Sequence, residues 1–341
     1  MPGQFDRLYA HPGLTRRRLL AAAGAMAATA IAAPLRSKIA HGQPRFAADL
    51  FALGVASGDP VADGFVLWTR LAPDPLNGGG MPPEAVPVRW EVAEDARFLD
   101  IARRGETLAA PELGHSVHLD VTGLEPDRWY YYRFIAGGEV SPIGRTRTFP
   151  PIGTPADQLR FAFASCQHYG QGYFTAYEAM MEDDLDLIVH LGDYIYESDW
   201  GPKVRFHLPE PVSLEQYRNQ HALYKSDRSL QAAHAWHPFA VTWDDHEVDN
   251  DYAAEHAEDQ TPVEVFLKRR AAAYQAYYEH MPLRRTARRL GPDMTLYTTL
   301  TFGDLASFMM LDNRQYRSDQ ACQGPERFGG RVVEDCAERE Q

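Results

Sequence analysis

The chain has 341 residues, of which 45% are apolar, and sets 34 basic against 47 acidic side chains for a formal charge of −13. That composition excludes a disordered chain, and the length predicts two or three domains with a substantial core. The acidic balance excludes nucleic acid and anionic lipid surfaces as partners, so an anionic substrate needs local cations.

The first forty residues hold six basic side chains (Arg7, Arg16, Arg17, Arg18, Arg36, Lys38) against Asp6; without this +5 segment the chain stands at −18. Thr15-Arg16-Arg17-Arg18-Leu19-Leu20 leads into the Ala-rich residues 21–33, a stretch too short to cross a bilayer comfortably. Basic, then apolar, then small residues is the order of a secretory signal, here of the twin-arginine kind. Residues 1–40 are therefore expected to engage the twin-arginine export machinery and send the protein to the periplasm or the exterior. The competing reading, an amphipathic helix, lacks a polar face. Cleavage after Ala30 and cleavage after Ala40 both fit. Twin-arginine export carries folded protein, which suits an enzyme that loads metal before crossing. Of the three cysteines, Cys322 and Cys336 lie in a polar tail and are expected to pair in an oxidising compartment, leaving Cys166 unpaired.

Residues 46–150 read as a β-sandwich. Short β-branched or aromatic runs at 66–69, 86–92, 116–121 and 129–134 are separated by turn signals such as Asn77-Gly78-Gly79-Gly80 and Ala136-Gly137-Gly138. The segment Leu119-Asp120-Val121-Thr122-Gly123-Leu124-Glu125-Pro126, followed by Tyr130, Tyr131 and Tyr132, is typical of fibronectin type III or immunoglobulin-like sandwiches. No catalytic cluster falls there. Pro150-Pro151-Ile152-Gly153-Thr154-Pro155 reads as a linker. In residues 156–341 apolar strands alternate with helical segments, which predicts an α/β domain. Its clearest helices are 173–182 and 263–280, the second stopped ahead of Pro282.

Four runs in this part read as core strands. Residues 161–165 end at Cys166, and 187–191 end at Gly192-Asp193-Tyr194-Ile195-Tyr196-Glu197. Residues 239–243 end at Asp244-Asp245-His246-Glu247, and 305–311 end at Asp312-Asn313-Arg314. Ligands of open α/β sheets bind beyond the carboxyl ends of strands, so the four tips predict one metal-dependent site. The stretch Trp243-Asp244-Asp245-His246-Glu247-Val248-Asp249-Asn250-Asp251 supports this. Five carboxylates within eight residues repel one another, and a multivalent cation removes the conflict. A solvated acidic loop is the bland alternative. Tyr binds only a strongly Lewis-acidic ion, so Cys166 with Tyr196 points to ferric iron, and Asp245 suits a harder, oxygen-liganded ion such as calcium. Cys166 as a small buried hydrophobe, Tyr196 as an interior aromatic, Asp193 as a turn carboxylate and His246 as a cap or core histidine remain the competing readings. His168 and His190 are read as supporting residues.

Ser165-Cys166-Gln167, Leu191-Gly192-Asp193-Tyr194-Ile195-Tyr196-Glu197, Thr242-Trp243-Asp244-Asp245-His246-Glu247-Val248-Asp249-Asn250 and Leu311-Asp312-Asn313-Arg314-Gln315-Tyr316-Arg317 together resemble the PhoD family of exported alkaline phosphatases and phosphodiesterases, within the metallophosphatase superfamily. The resemblance runs from the signal to about Gln323. It implies two packed sheets flanked by helices, with Fe(III) and calcium. By resemblance Cys166, Asp193 and Tyr196 bind iron, Asp193 bridges to calcium, Asp245 contacts the second metal and His246 touches the substrate phosphate. The implied reaction is in-line hydrolysis of a phosphate ester by metal-activated hydroxide. The ester is a small molecule, a cell-surface phosphopolymer or a phospholipid. Family members continue further and supply a late Gly-Asp-x-His motif, whereas the last histidine here is His280 and Gly303-Asp304 is not followed by one. The metallophosphatase domain, 156–341, is therefore expected to be incomplete at its C-terminus. The chain is read as a fragment of an active phosphatase, the alternative being an inactive relative that serves as an exported binding protein.

Overall fold

The computed structural model describes residues 49–288 and 291–319; the expected signal at 1–40 and the cysteines Cys322 and Cys336 lie outside the described residues. In chain order the strands are β1 (Val55–Val61), β2 (Gly64–Arg70), β3 (Val86–Ala93), β4 (Ile101–Ala109), β5 (Ser116–Val121), β6 (Trp129–Ala136), β7 (Glu139–Val140), β8 (Gly144–Arg147), β9 (Phe161–Ala164), β10 (Leu187–His190), β11 (Pro238–Val241), β12 (Thr298–Phe302) and β13 (Ala306–Met310). The α-helices are α1 (Thr175–Met180), α2 (Leu214–Lys225), α3 (Arg228–Trp236) and α4 (Val263–His280). Ser213 and Gln216 form a capping box that starts α2, and the Asp227 carboxylate caps α3 through the N–H groups of Ser229 and Leu230.

The fold is α/β with a β-rich N-terminal part, as the sequence predicts. One leaf of that part is the sheet β4-β3-β6-β7, with β8 also on β6. Along β6 the side chains alternate, sending Tyr130, Tyr132, Phe134 and Ala136 into the core. They meet Val55, Phe65, Leu67, Val117 and Val121 from the facing leaf.

That facing leaf belongs to a larger sheet. Six strands run in the order β5-β2-β1-β11-β10-β9, antiparallel from β5 to β1 and parallel from β1 to β9. The hinge of the sheet is the parallel pairing of Ser57 with Pro238 and Gly58 with Phe239. The Pro-rich segment 150–155 thus divides the sequence without dividing the sheet. Nor does it hang free: Gly153 donates to the Gly303 carbonyl at 3.1 Å, and Asp304 donates to that of Thr154 at 2.9 Å.

β10 and β11 are buried at every position, as central parallel strands must be. One face, carrying Ile188, Phe239 and Val241, packs on the helices and on Trp243, Tyr274 and Tyr277. The other, carrying Leu187, Val189 and Ala240, packs on Leu300, Phe302 and Met310 of the β12–β13 ribbon. Two of the four runs expected as core strands differ from that reading. Within residues 305–311, Ala306–Met310 form β13, one strand of a separate antiparallel pair rather than a strand of the main sheet. Within residues 161–165, Phe161–Ala164 form the edge strand β9, with Phe161 and Phe163 48% and 66% exposed. Apolar character specifies a strand but not its rank in the sheet, which pairing alone decides.

Among the described residues no strand pairs with the outer side of β9, and an apolar edge of this kind invites association. Association through this edge is expected to appear as concentration-dependent light scattering that Phe163→Lys suppresses, while the substitution shifts stability by no more than about 0.5 kcal/mol. Unchanged association would mean that β9 is not the contact.

Candidate metal centre

The loops after β9, β10 and β11 leave the same edge of the sheet and are tied to one another by backbone. Leu191 donates to the Ala164 carbonyl at 2.9 Å, Cys166 to that of Gly192 at 3.2 Å and Gln167 to that of Asp193 at 3.1 Å. Gly192 has φ +108°, and a Cβ there would lie 2.4 Å from the Asp244 nitrogen, so only glycine lets the second and third loops touch. Cys166 and Asp193 both adopt positive φ without being glycine (57° and 54°), local strain held by these cross-loop bonds. The buried Glu247 carboxylate completes the joint, accepting from the Tyr194 N–H at 2.5 Å and the Asp244 N–H at 2.9 Å. Burial foremost, then the charge of Asp193, pushes its pKa up to about 8.

This frame brings the predicted residues together. The Tyr196 hydroxyl donates to Asp193 Oδ2 at 3.1 Å, and the Cys166 thiol lies near enough to both side chains for their charges to act on one another. Asp193, Asp245 and His246 each place one ligand atom within 4.8 Å of the others. Asp193 Oδ1 is buried without a hydrogen-bond partner among the described residues. The Cys166, Asp193 and Tyr196 acids are each pushed above their ordinary range, with burial the largest cause; the charge of Asp193 adds to it for Cys166 and Tyr196, and the charges of Asp245 and Asp244 add to it for Asp193. His246 is the counterweight. Burial alone would lower it, but the hydrogen bond from Nδ1 to Glu197 Oε2 (2.8 Å) and the charges of Glu197, Asp245 and Asp193 raise it to about 9. These features fit a metal. Soft and hard donors converge, one oxygen lacks a partner among the described residues, and three acids are shifted upward, a shift that a bound cation would reverse.

The like-charge conflict read from the acidic stretch is met largely by the protein itself. Arg314 reaches Asp244, Asp245 (3.2 Å) and Asp251 (3.3 Å), while Arg269 Nη1 holds Asp249 at 2.9 Å. The need for a cation therefore rests on Asp193 and its neighbours rather than on the whole run. Arg314, Glu197 and Glu247 lie inside the motifs read from the sequence, yet nothing local distinguishes them. Arg269, on α4, gave no signal. The supporting residues behave differently from each other. His168 packs at a tilt against Tyr196, with ring centroids 4.7 Å apart, and bonds the Ser198 carbonyl, whereas His190 lies in the interior behind the loop. A cavity of about 480 Å³ opens beside His246 and is lined by Glu197, Trp200, Asp249, Asn250 and Arg269 among others.

Arg314→Met is expected to destabilise the metal-free protein by about 3 kcal/mol, as for a broken buried ion pair, with part of the loss recovered by added calcium. Denaturant titrations with chelator and with calcium check this. Gly192→Ala is expected to cost about 3 kcal/mol in the same measurement, from positive φ and the clash with Asp244.

Comparison with known proteins gives consistent matches. The family profile "PhoD-like phosphatase" matches residues 161–341, and "PhoD-like phosphatase, N-terminal domain" matches residues 36–150. Over 319 residues the chain is 54% identical to alkaline phosphatase D of Bacillus subtilis (strain 168), covering 90% of this chain and 54% of that protein. A solved structure of PhoD superposes with a TM-score of 0.80 at 58% identity, over 82% of this chain and 55% of that one. The chain spans about half the length of the curated relative it matches.

Proposed function

The chain belongs to the PhoD-like phosphatase family, and on that premise we propose that it hydrolyses phosphate mono- or diesters at the cluster of Cys166, Asp193, Tyr196, Asp245 and His246. The observation that carries the proposal is the mutual contact of a thiol, a phenol and a carboxyl from two strand tips, with Asp245 and His246 delivered beside them by a third. In this reading Cys166, Asp193 and Tyr196 hold Fe(III), and Asp193 and Asp245 share a calcium ion. Thiolate and phenolate favour the first, and carboxylates the second. Bound there, the two ions supply Lewis acidity toward the phosphoryl oxygens and acidify water.

The rest of the chemistry falls to the chain. His246, charged at neutral pH and oriented by Glu197 on Nδ1, presents its Nε2–H to the phosphoryl or leaving oxygen. It can pass that proton to the departing alkoxide. Glu247 and Gly192 keep the loops at working distance. The alcohol portion of the ester has room in the cavity beside His246, whose acidic lining directs the anionic phosphoryl group to the metal side. The proposal includes the division into a signal (1–40), a β-sandwich domain (46–150) and a metallophosphatase domain (156–341). It also includes export by the twin-arginine route and a bridge between Cys322 and Cys336. Among the described residues no helix is long and apolar enough to cross a membrane.

Iron loading tests the reading. The loaded protein is expected to absorb visible light through a tyrosinate–Fe(III) band that Tyr196→Phe abolishes. Asp193→Asn is expected to abolish turnover of a generic aryl phosphate ester, and His246→Asn to lower kcat by roughly 10²–10⁴. Protein that stays colourless and metal-free under these conditions would overturn the iron assignment.

A further inference from the structure

The cavity beside His246 has an aromatic wall and a charge that hydrolysis by itself does not require. The wall is Trp200, which lines the cavity and keeps 51% of its surface exposed. Its ring is nevertheless held in place. It meets Tyr196 edge to face at 6.0 Å between centroids, and His168 likewise at 5.4 Å. Gln171 Nε2 donates to the Trp200 carbonyl at 2.8 Å and fixes the backbone. A fixed, half-open indole offers its π-surface to whatever enters.

The charge is negative. Five carboxyl groups line the cavity, on Glu197, Glu210, Asp249, Glu258 and Asp259, against two cations, His246 and Arg269. Both cations are already engaged: His246 bonds Glu197 at 2.8 Å, and Arg269 reaches Glu210 at 2.7 Å and Asp249 at 2.9 Å. Glu258 and Asp259 are left without an ion pair among the described residues. Asp259 accepts from the Thr261 N–H at 2.9 Å, so Glu258 is the uncommitted carboxylate. The excess acts on Asp249. Burial raises its pKa to about 7 against the pull of Arg269, and Glu197, Asp259 and Glu210 add to the rise.

Most substituents of a phosphate ester would use only part of this lining. A neutral polyol draws on neither the indole nor the excess charge. An apolar alcohol gains the indole but strips water from carboxylates. An anionic one finds no free cation among the described residues of the wall. An alkylammonium group uses both features, by cation–π attraction to the indole and by Coulomb attraction to Glu258 and Asp259.

We infer that this cavity selects phosphate esters whose departing alcohol carries an alkylammonium group, with Trp200 and Glu258 as specificity-determining residues. The inference rests on the reading of the neighbouring cluster as a phosphate-ester site and names its substrate class. Hydroxide formed from water bonds to phosphorus as the P–O bond to the amino alcohol breaks. The leaving oxygen takes the His246 proton, and the proton released when the water ionised restores His246.

Two diesters that differ in one atom test this on the iron- and calcium-loaded chain: methyl choline phosphate and methyl 3,3-dimethylbutyl phosphate, with the released alcohol followed by NMR. The kcat/KM for choline release is expected to exceed that for the carbon analogue by about tenfold. Trp200→Leu and Glu258→Gln are each expected to cut that ratio by about threefold or more. A ratio near one in the unmodified chain overturns the inference, and a ratio that survives either substitution overturns that residue's role. Loss of turnover toward both esters strikes the phosphatase reading, and calorimetric titration with tetramethylammonium at constant ionic strength then decides. Binding that Trp200→Leu weakens supports the cationic pocket. Absence of binding, or binding indifferent to the substitution, overturns it.

Discussion

Two backbone N–H groups, of Tyr194 and Asp244, converge on the single buried carboxylate of Glu247, and the rest of the site is built on that joint. It fastens the loop after β10 to the loop after β11 where Gly192 already brings the two backbones into contact. Neither loop has regular secondary structure to hold it, and both carry residues at positive φ or in close approach. Without the joint, Asp193 and Asp245 would project from separate mobile loops, and a ligand-atom separation under 4.8 Å would have no cause.

The electrostatics follow from that frame. Carboxylates crowded at a sheet edge need compensation, and the protein divides the task. Arg314 and Arg269 bridge the outer carboxylates, and Glu197 charges His246. What is left uncompensated is confined to the Cys166–Asp193–Tyr196 contact, where burial favours the protonated forms. This division distinguishes a metal site from a merely acidic loop. The surrounding charges are already balanced, so a cation's binding energy is directed at the three residues that lack balance.

The six-stranded sheet explains why the β-rich N-terminal part and the site cannot be treated apart. β1 pairs with β11, the strand whose tip carries Asp245 and His246, and β1 and β2 form the inner leaf of the sandwich. Trp68 of β2 donates its indole N–H to the Glu279 carbonyl at the end of α4, and its ring faces Lys225. Packing of the sandwich is thereby transmitted to the strand that supports the chemistry, since interiors of this density have few soft degrees of freedom.

Local pattern was enough to read most strands, the helix ending ahead of Pro282, and the residue types gathered at four strand tips. Alternation, apolar runs and helix stops are properties of neighbouring residues, and Gly192-Asp193 or Asp245-His246 carry their chemistry in the residues themselves. What sequence could not supply was rank and pairing. It did not reveal that residues 161–165 sit at an edge, that 305–311 pair outside the main sheet, or that β1 joins β11 across nearly two hundred residues. Nor did it reveal that Arg314 would answer the acidic stretch or that Lys225 would be buried among histidines. Those are contacts between residues distant along the chain. Their energy depends on which surfaces meet, and only the tertiary structure decides that.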